Sequence, residues 1–148
     1  MYKNILVPMD LNDKGFSDKA VEIAVWHAKN SDAKIHLLNV LPGVHMPMVS
    51  AYFPKDAAEK MKADVKTKLN DFAKTHIEAS LKYKTYIAEG KPYTTILKYA
   101  DRLGVDLIVM PSHKRSKVNK ALLGSVASKV VENSPVSVLV VKPKPVMK

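Results

Sequence analysis

The residues of this chain best equipped for chemistry sit together near its C-terminal end, in PSHKRSKVNKALLGSVASKVV, residues 111 to 131. Gly124 and Ser125 stand where that segment becomes apolar at helical spacing, so they open a helix. A helix start presents backbone N–H groups and the positive end of a dipole to an anion. Gly124 lets the backbone approach phosphate oxygens, Ser125 offers an N–H and a hydroxyl, and His113, Lys114, Arg115 and Lys117 can neutralise negative charge. In outline this is a phosphate site. A helix-packing glycine beside a solvated cationic loop is the other reading of the same residues. A second candidate is Asp10, which ends the apolar run of NILVPMD. At a strand end its carboxylate can accept from a ribose hydroxyl or an adenine amino group, or bind Mg2+ through water. It can also simply cap the loop that follows.

Other chemistries find little support. His27, His36, His45, His76 and His113 are scattered, with no HExxH and no carboxylate pair at ligand spacing. His45-Met46-Pro47-Met48 is a conceivable copper site, and equally a loop. No GxSxG elbow, Walker A sequence or GxGxxG occurs, so acyl and hydride transfer are unsupported. The chain has no Cys, hence no disulfide, thiolate metal site or cysteine nucleophile, which suits a reducing compartment; cytoplasm is the expectation.

Charge points the same way as the loop. The formal net charge is +10, and residues 111 to 148 hold eight Lys or Arg against one acid, Glu132. Anionic partners are therefore to be considered. Trp26, Tyr2, Tyr52, Tyr83, Tyr86, Tyr93 and Tyr99 do not interleave with that basic cluster, which argues against a single-stranded nucleic-acid platform. The N-terminus is too short in apolar residues for a signal peptide, and no run of apolar residues is long enough to span a membrane.

The elements that must position these residues alternate between strand and helix. Apolar runs predict strands over Asn4 to Met9, Lys34 to Leu41, Tyr83 to Ala88, Asp106 to Met110 and Val136 to Val141. Val21, Ala24, Val25 and Ala28 predict a helix from Ser17 to Asn30, and Ala58, Met61, Val65, Leu69 and Phe72 the longest one, Lys55 to His76. Pro92 begins a further helix with Ile96, Ala100 and Leu103 inward and Gly104 as its cap; Leu122, Val126 and Val130 mark the last. The strands are continuous apolar runs, so the sheet is parallel and covered on both faces: one doubly wound α/β domain spanning residues 1 to 148. In such a sheet the ligand crevice lies beyond the carboxyl ends of the strands, in the loops after Met9, Val40 and Met110. The last strand would lie at the sheet edge, where a second copy pairing along Val136 to Val141 would satisfy its backbone in a homodimer.

KNILVPMD, HLLNV, EGKPYTTILKYADRLGVDLIVMPSH and LLGSVASKVVENSPVSVLVVK, taken in order, resemble the universal stress protein family across essentially the whole chain. The resemblance implies a Rossmann-like, adenine nucleotide alpha hydrolase-like sheet of order 3-2-1-4-5 and a homodimer through the last strands. In one branch it implies ATP held across the switch point by a motif GxxGx(9)G[ST]. Here Pro111 and Lys114 stand where that motif's first two glycines belong, while Gly124 and Ser125, with Val126 beside them, match its end. Pro111 removes a backbone N–H; Lys114 adds a side chain whose ammonium can itself meet a phosphate. Pro8, Asp10 and Val40 match the branch's adenosine positions, and Met110, Ser112 and His113 its fourth-strand end, followed by Lys114 and Arg115 as in a subgroup without glycine after the histidine. The implied function is a stress-response sensor binding ATP, ADP or AMP, with at most slow hydrolysis or autophosphorylation. The alternative is a regulatory or scaffolding dimer of the same fold that binds no nucleotide.

Overall fold

A strand buried on both faces of a parallel sheet must be apolar throughout, and β1 (Asn4–Met9) meets that demand: Ile5, Leu6 and Val7 are fully buried and Pro8 and Met9 lie inside with them. In the computed structural model, which describes residues 1–11, 14–41, 55–112 and 123–142, the chain continues through α1 (Lys14–Ser31), β2 (Lys34–Leu41), α2 (Lys55–His76) and β3 (Tyr83–Glu89). It ends with α3 (Pro92–Arg102), β4 (Leu107–Pro111), α4 (Ser125–Asn133) and β5 (Ser137–Val141). The five strands form one parallel sheet in the order β3-β2-β1-β4-β5. The α/β class and the strand order are as expected, and the chain direction along the sheet reverses between β1 and β4.

Side chains alternate across the pleat, so each strand feeds two layers. Ile5, Val7, Ile35 and Leu37 pack with Val21, Ala24, Ala28 and Leu69 under α1 and α2; Leu6, Leu38, Ile108 and Met110 pack with Ile96, Ala100, Ala127 and Val130 under α3 and α4. Among the described side chains of the stripe expected on α2, only Leu69 is fully buried, while Met61, Val65 and Phe72 are half-covered. The reason is position: α2 lies over the sheet edge formed by β3, and its inward face is continued by Ala73 and Ile77 instead. Leu103, expected inside, is the half-buried C-cap of α3, and Thr95 takes the inner place. Among the described residues no helix is long and apolar enough to cross a membrane.

Boundaries move where a side chain competes for backbone groups. β4 begins one residue later than expected, because the Asp106 carboxylate accepts from the N–H groups of Lys3 at 2.9 Å and Asn4 at 3.1 Å and so belongs to the turn before it. β5 begins at Ser137, since Ser134 Oγ accepts the Val136 N–H at 3.1 Å and donates to the Val136 carbonyl at 2.8 Å. α1 begins at Lys14, three residues ahead of expectation, so Ser17 lies inside its first turns.

One buried polar group interrupts the apolar layer under α3. His36, in β2, places Nε2 3.0 Å from Asn4 Oδ1 and Nδ1 2.9 Å from Tyr86 Oη. Asn4 Oδ1 can only accept, so Nε2 carries the proton and Nδ1 accepts from the tyrosine. Burial, then the charges of Lys34 and Lys84, lower its pKa from 6.5 to about 4.

Candidate nucleotide crevice

Two prolines open the sheet at its switch point. In a parallel ladder the polar groups of successive residues point alternately to the two neighbouring strands. The Lys3 carbonyl accepts from the Lys34 N–H at 2.9 Å, so odd-numbered positions of β1 face β2, and Leu6 and Pro8 face β4. On β4, the Ser112 N–H donates to the Val141 carbonyl at 2.9 Å, so even-numbered positions face β5, and Val109 and Pro111 face β1. After Leu6 and Ile108, the next links would run from the N–H of residue 8 to the Val109 carbonyl and from the N–H of residue 111 to the Pro8 carbonyl. Proline has neither donor. The β1–β4 register accordingly stops at Leu6 with Ile108, whereas β1–β2 runs on to Met9 with Asn39 and β4–β5 to Pro111 with Val141.

Those anticipated site residues that the structure describes lie at or next to the ends of β1, β2 and β4 and at the start of α4. Pro8 and Met110 are buried at the ends of their strands, Val40 is half-exposed at the end of β2 opposite Ala88, and Asp10 is exposed just past β1. The Asp10 backbone is held from below: its N–H donates to Ser17 Oγ at 3.3 Å, and that hydroxyl donates to the Asp10 carbonyl at 3.2 Å. Ser17 is fully buried for this purpose, a role that its serine type alone did not signal in the sequence. Across the opening, buried Ser112 places Oγ 3.3 Å from the Gly124 nitrogen and accepts its N–H.

That contact changes the expected use of Gly124. It is the N-cap of α4 with φ −60° and ψ 156°, an ordinary extended conformation, and its N–H meets Ser112 rather than projecting as a free donor. Its carbonyl accepts from the Ser128 N–H at 2.9 Å and Ser128 Oγ at 3.0 Å. Ser125 is exposed as the first residue of α4, and Val126 beside it is half-buried against the α3–α4 layer. The first turn of α4 is therefore the part of the phosphate outline available to a ligand. His113, Lys114 and Arg115, with Lys117 and Leu122, lie outside the described residues, as does His45-Met46-Pro47-Met48.

A separate cleft of about 780 Å3 lies on the α1–α2 face, between Asp10, Ser17 and Asp18 on one side and Asp71, Phe72, Thr75 and His76 on the other. His76 stacks on Phe72 with ring centroids 4.0 Å apart and points Nε2 toward Asp18 at 3.6 Å. It shares only Asp10 with the anticipated site. Among the described residues no three His, Asp or Glu gather to hold a metal ion.

Parallel order and the opening at the switch point define a doubly wound α/β architecture with a crevice at the carboxyl ends of its strands. The sequence model of the universal stress protein family matches residues 1–142, and the chain belongs to that family. Universal stress protein MJ0577 of Methanocaldococcus jannaschii is 32% identical over 157 aligned residues, with 97% of each chain covered. The solved structure of MJ0577 superposes with a TM-score of 0.81 at 30% identity, covering 98% of this chain and 99% of that one. A universal stress protein in complex with cAMP gives a TM-score of 0.67 at 24% identity over 97% of this chain and 98% of that one. One from Archaeoglobus fulgidus in complex with dAMP gives 0.63 at 16% over 94% and 97%. At those identities these two share the fold with this chain.

Proposed function

We propose that this protein is an adenine-nucleotide-binding homodimer that acts as a sensor or regulator in a cytoplasmic stress response, with ATP the nucleotide that the family motif implies. The observation that carries the reading is the opening of the β1–β4 seam at Pro8 and Pro111, with Asp10, Val40, Met110 and Ser112 around its mouth. The polarity of that mouth suits a nucleotide. Acceptors cluster on the β1 side, where Asp10 can meet ribose or base donors and hold Mg2+ through water; donors lie on the α4 side, where Ser125 and the first helical amides can meet a phosphoryl group. Val40 and Met110 form apolar walls for a base. Two proteins of the same fold were captured with cAMP and dAMP, each joining an adenine to a phosphate, which supports the choice of base. The reading extends to slow hydrolysis or autophosphorylation at most. Mass spectrometry of ligand released from freshly purified protein, and a melting shift with Mg-ATP or AMP that Asp10→Ala removes, test the reading.

A second reading has support of its own. Pro111 offers no N–H and the Gly124 N–H is taken by Ser112, so two backbone donors assigned to phosphates by the family motif are spent. A regulatory dimer that binds no nucleotide would give identical calorimetric traces with and without millimolar ATP and AMP.

A further inference from the structure

We propose that Tyr86 and Tyr99, with Lys34, Lys84, Lys98 and Arg102 around them, form a docking shelf for single-stranded nucleic acid, bases stacking on the tyrosines while phosphates meet the cations. The shelf joins the amino-terminal half of β3 to the last turns of α3, at the end of the sheet remote from the crevice, and does not depend on the nucleotide reading.

The shelf arises from uneven cover of an edge strand. Tyr83, Thr85 and Ile87 turn toward α2, where Thr85 Oγ1 donates to Asn70 Oδ1; Lys84, Tyr86 and Ala88 turn to the other face. On that face α3 packs chiefly against β2 and α4, so Tyr86 stays half-exposed at the border of the helical layer. Tyr99 meets it from α3, edge to face, with ring centroids 5.8 Å apart at 67°. Lys84 Nζ stands 5.6 Å from the Tyr86 centroid and Arg102 Cζ 5.4 Å from that of Tyr99. The charge of Lys34 reaches His36, which lies beside Tyr86, and Lys98 is one helical turn from Arg102. Among the described residues, none of these four cations takes part in an ion pair, and Asp101 is the one acid of α3.

Unpaired cations gathered on one face repel each other and attract a polyanion. Two half-exposed rings among them select a polyanion whose charges alternate with flat apolar faces. A single strand has that make-up, whereas a duplex keeps its base faces stacked inside. Lys84 and Arg102 are exposed, so each can swing from its ring to a phosphate; the cation–π contact given up at such a site is weaker than a base stacked on the same ring. Tyr86 is held ready, since its Oη donates to His36 Nδ1 at 2.9 Å and His36 is anchored in turn on Asn4. The tyrosines stand apart from the C-terminal basic run, and meet these other cations only through the fold, from β2, β3 and α3.

Fluorescence anisotropy with a labelled oligothymidylate of about ten nucleotides tests the shelf, a length within the usual site size. Lys84→Gln and Arg102→Gln, both at exposed positions, are each expected to lower the slope of log K against log salt by about 0.7. Tyr99→Leu keeps apolar bulk and should weaken binding about tenfold with the slope unchanged. An abasic strand of the same length should bind the wild type about tenfold more weakly, and Tyr99→Leu should weaken that strand no further. Millimolar AMP, which addresses the crevice, should leave the oligonucleotide bound. The shelf is overturned by a wild type that binds no oligonucleotide at low salt, by charge variants that bind as the wild type does, or by displacement with AMP. Abasic strand or inorganic polyphosphate bound as tightly as the oligonucleotide would reduce the patch to a charged surface and overturn the proposal equally.

Discussion

Ser112 Oγ and the Gly124 N–H, 3.3 Å apart and both buried, tie the end of β4 to the start of α4 across eleven intervening residues. The same serine donates its backbone N–H to Val141, so one residue fixes the corner where two strands and a helix meet. Ser112→Ala removes only the hydroxyl and leaves the glycine amide buried without its acceptor. A loss of about 1–2 kcal/mol in urea unfolding is expected, against less than about 0.5 kcal/mol for the exposed Ser125→Ala. Equal stability of the two variants would dissolve the corner as described.

His36 makes stability depend on pH. Its pKa is lowered in the folded protein from 6.5 to about 4, so between those values the unfolded chain binds a proton that the folded one does not. Stability therefore rises with pH through this window: the contribution is complete above 6.5 and lost as pH falls toward 4. The full span amounts to about 3 kcal/mol. His36→Asn should flatten that part of the profile, and denaturation series of both proteins across the window would reveal it. Parallel profiles would place the slope in other groups.

Two glycines should tolerate alanine very differently. Gly90 has φ +140°, and a Cβ there would stand 2.9 Å from Thr95 Oγ1; Gly104 has φ +63° with nothing within 4 Å of its Cβ. Gly90→Ala is expected to cost about 2–3 kcal/mol, from both strain and overlap, and Gly104→Ala about 1 kcal/mol from conformation alone. Thr95→Ala added to Gly90→Ala should restore the overlap part only. Thermal melts of the four proteins check the ranking, and an order reversed between the two single variants contradicts it.

The proposed dimer has a geometric test. In β5 the odd-numbered positions face β4, as the Ser112-to-Val141 bond fixes, so Val138 turns its N–H to the open edge of the sheet. Val138→Pro removes an outward donor and leaves the β4 ladder whole. Light scattering should show dimers of the wild type dissociating in the variant while circular dichroism is unchanged. A variant as dimeric as the parent would remove β5 pairing from the account.

Much of this architecture was legible because parallel strands carry a strong signal. NILVPM and KIHLLNVL can be buried on two faces only, and their bounds agree with expectation residue for residue. β4 and β5 were misjudged by one residue each, where Asp106 and Ser134 draw backbone groups into turns by side-chain bonds that periodicity does not register. The half-exposed stripe of α2 reflects its place over the sheet edge, a property of strand order rather than of the helix. At the crevice, its place at a strand end marks Asp10 as a candidate, and the family resemblance adds Pro8 and Ser112. They did not reveal that Ser112 occupies the Gly124 amide, or that the two prolines face each other across one seam, because both facts depend on register between segments far apart in the chain.

That short seam has a mechanical consequence. β3-β2-β1 and β4-β5 are each laced along their length, whereas the ladder between the two panels is two residue pairs long, Ile5 with Leu107 and Leu6 with Ile108, closed at its lower end by the bonds of Asp106 to Lys3 and Asn4. Under load, or in the first fluctuation toward unfolding, the backbone ladder is expected to part along this line first, leaving α1, which packs on β1 and β4 alike, as the principal tie between the two panels.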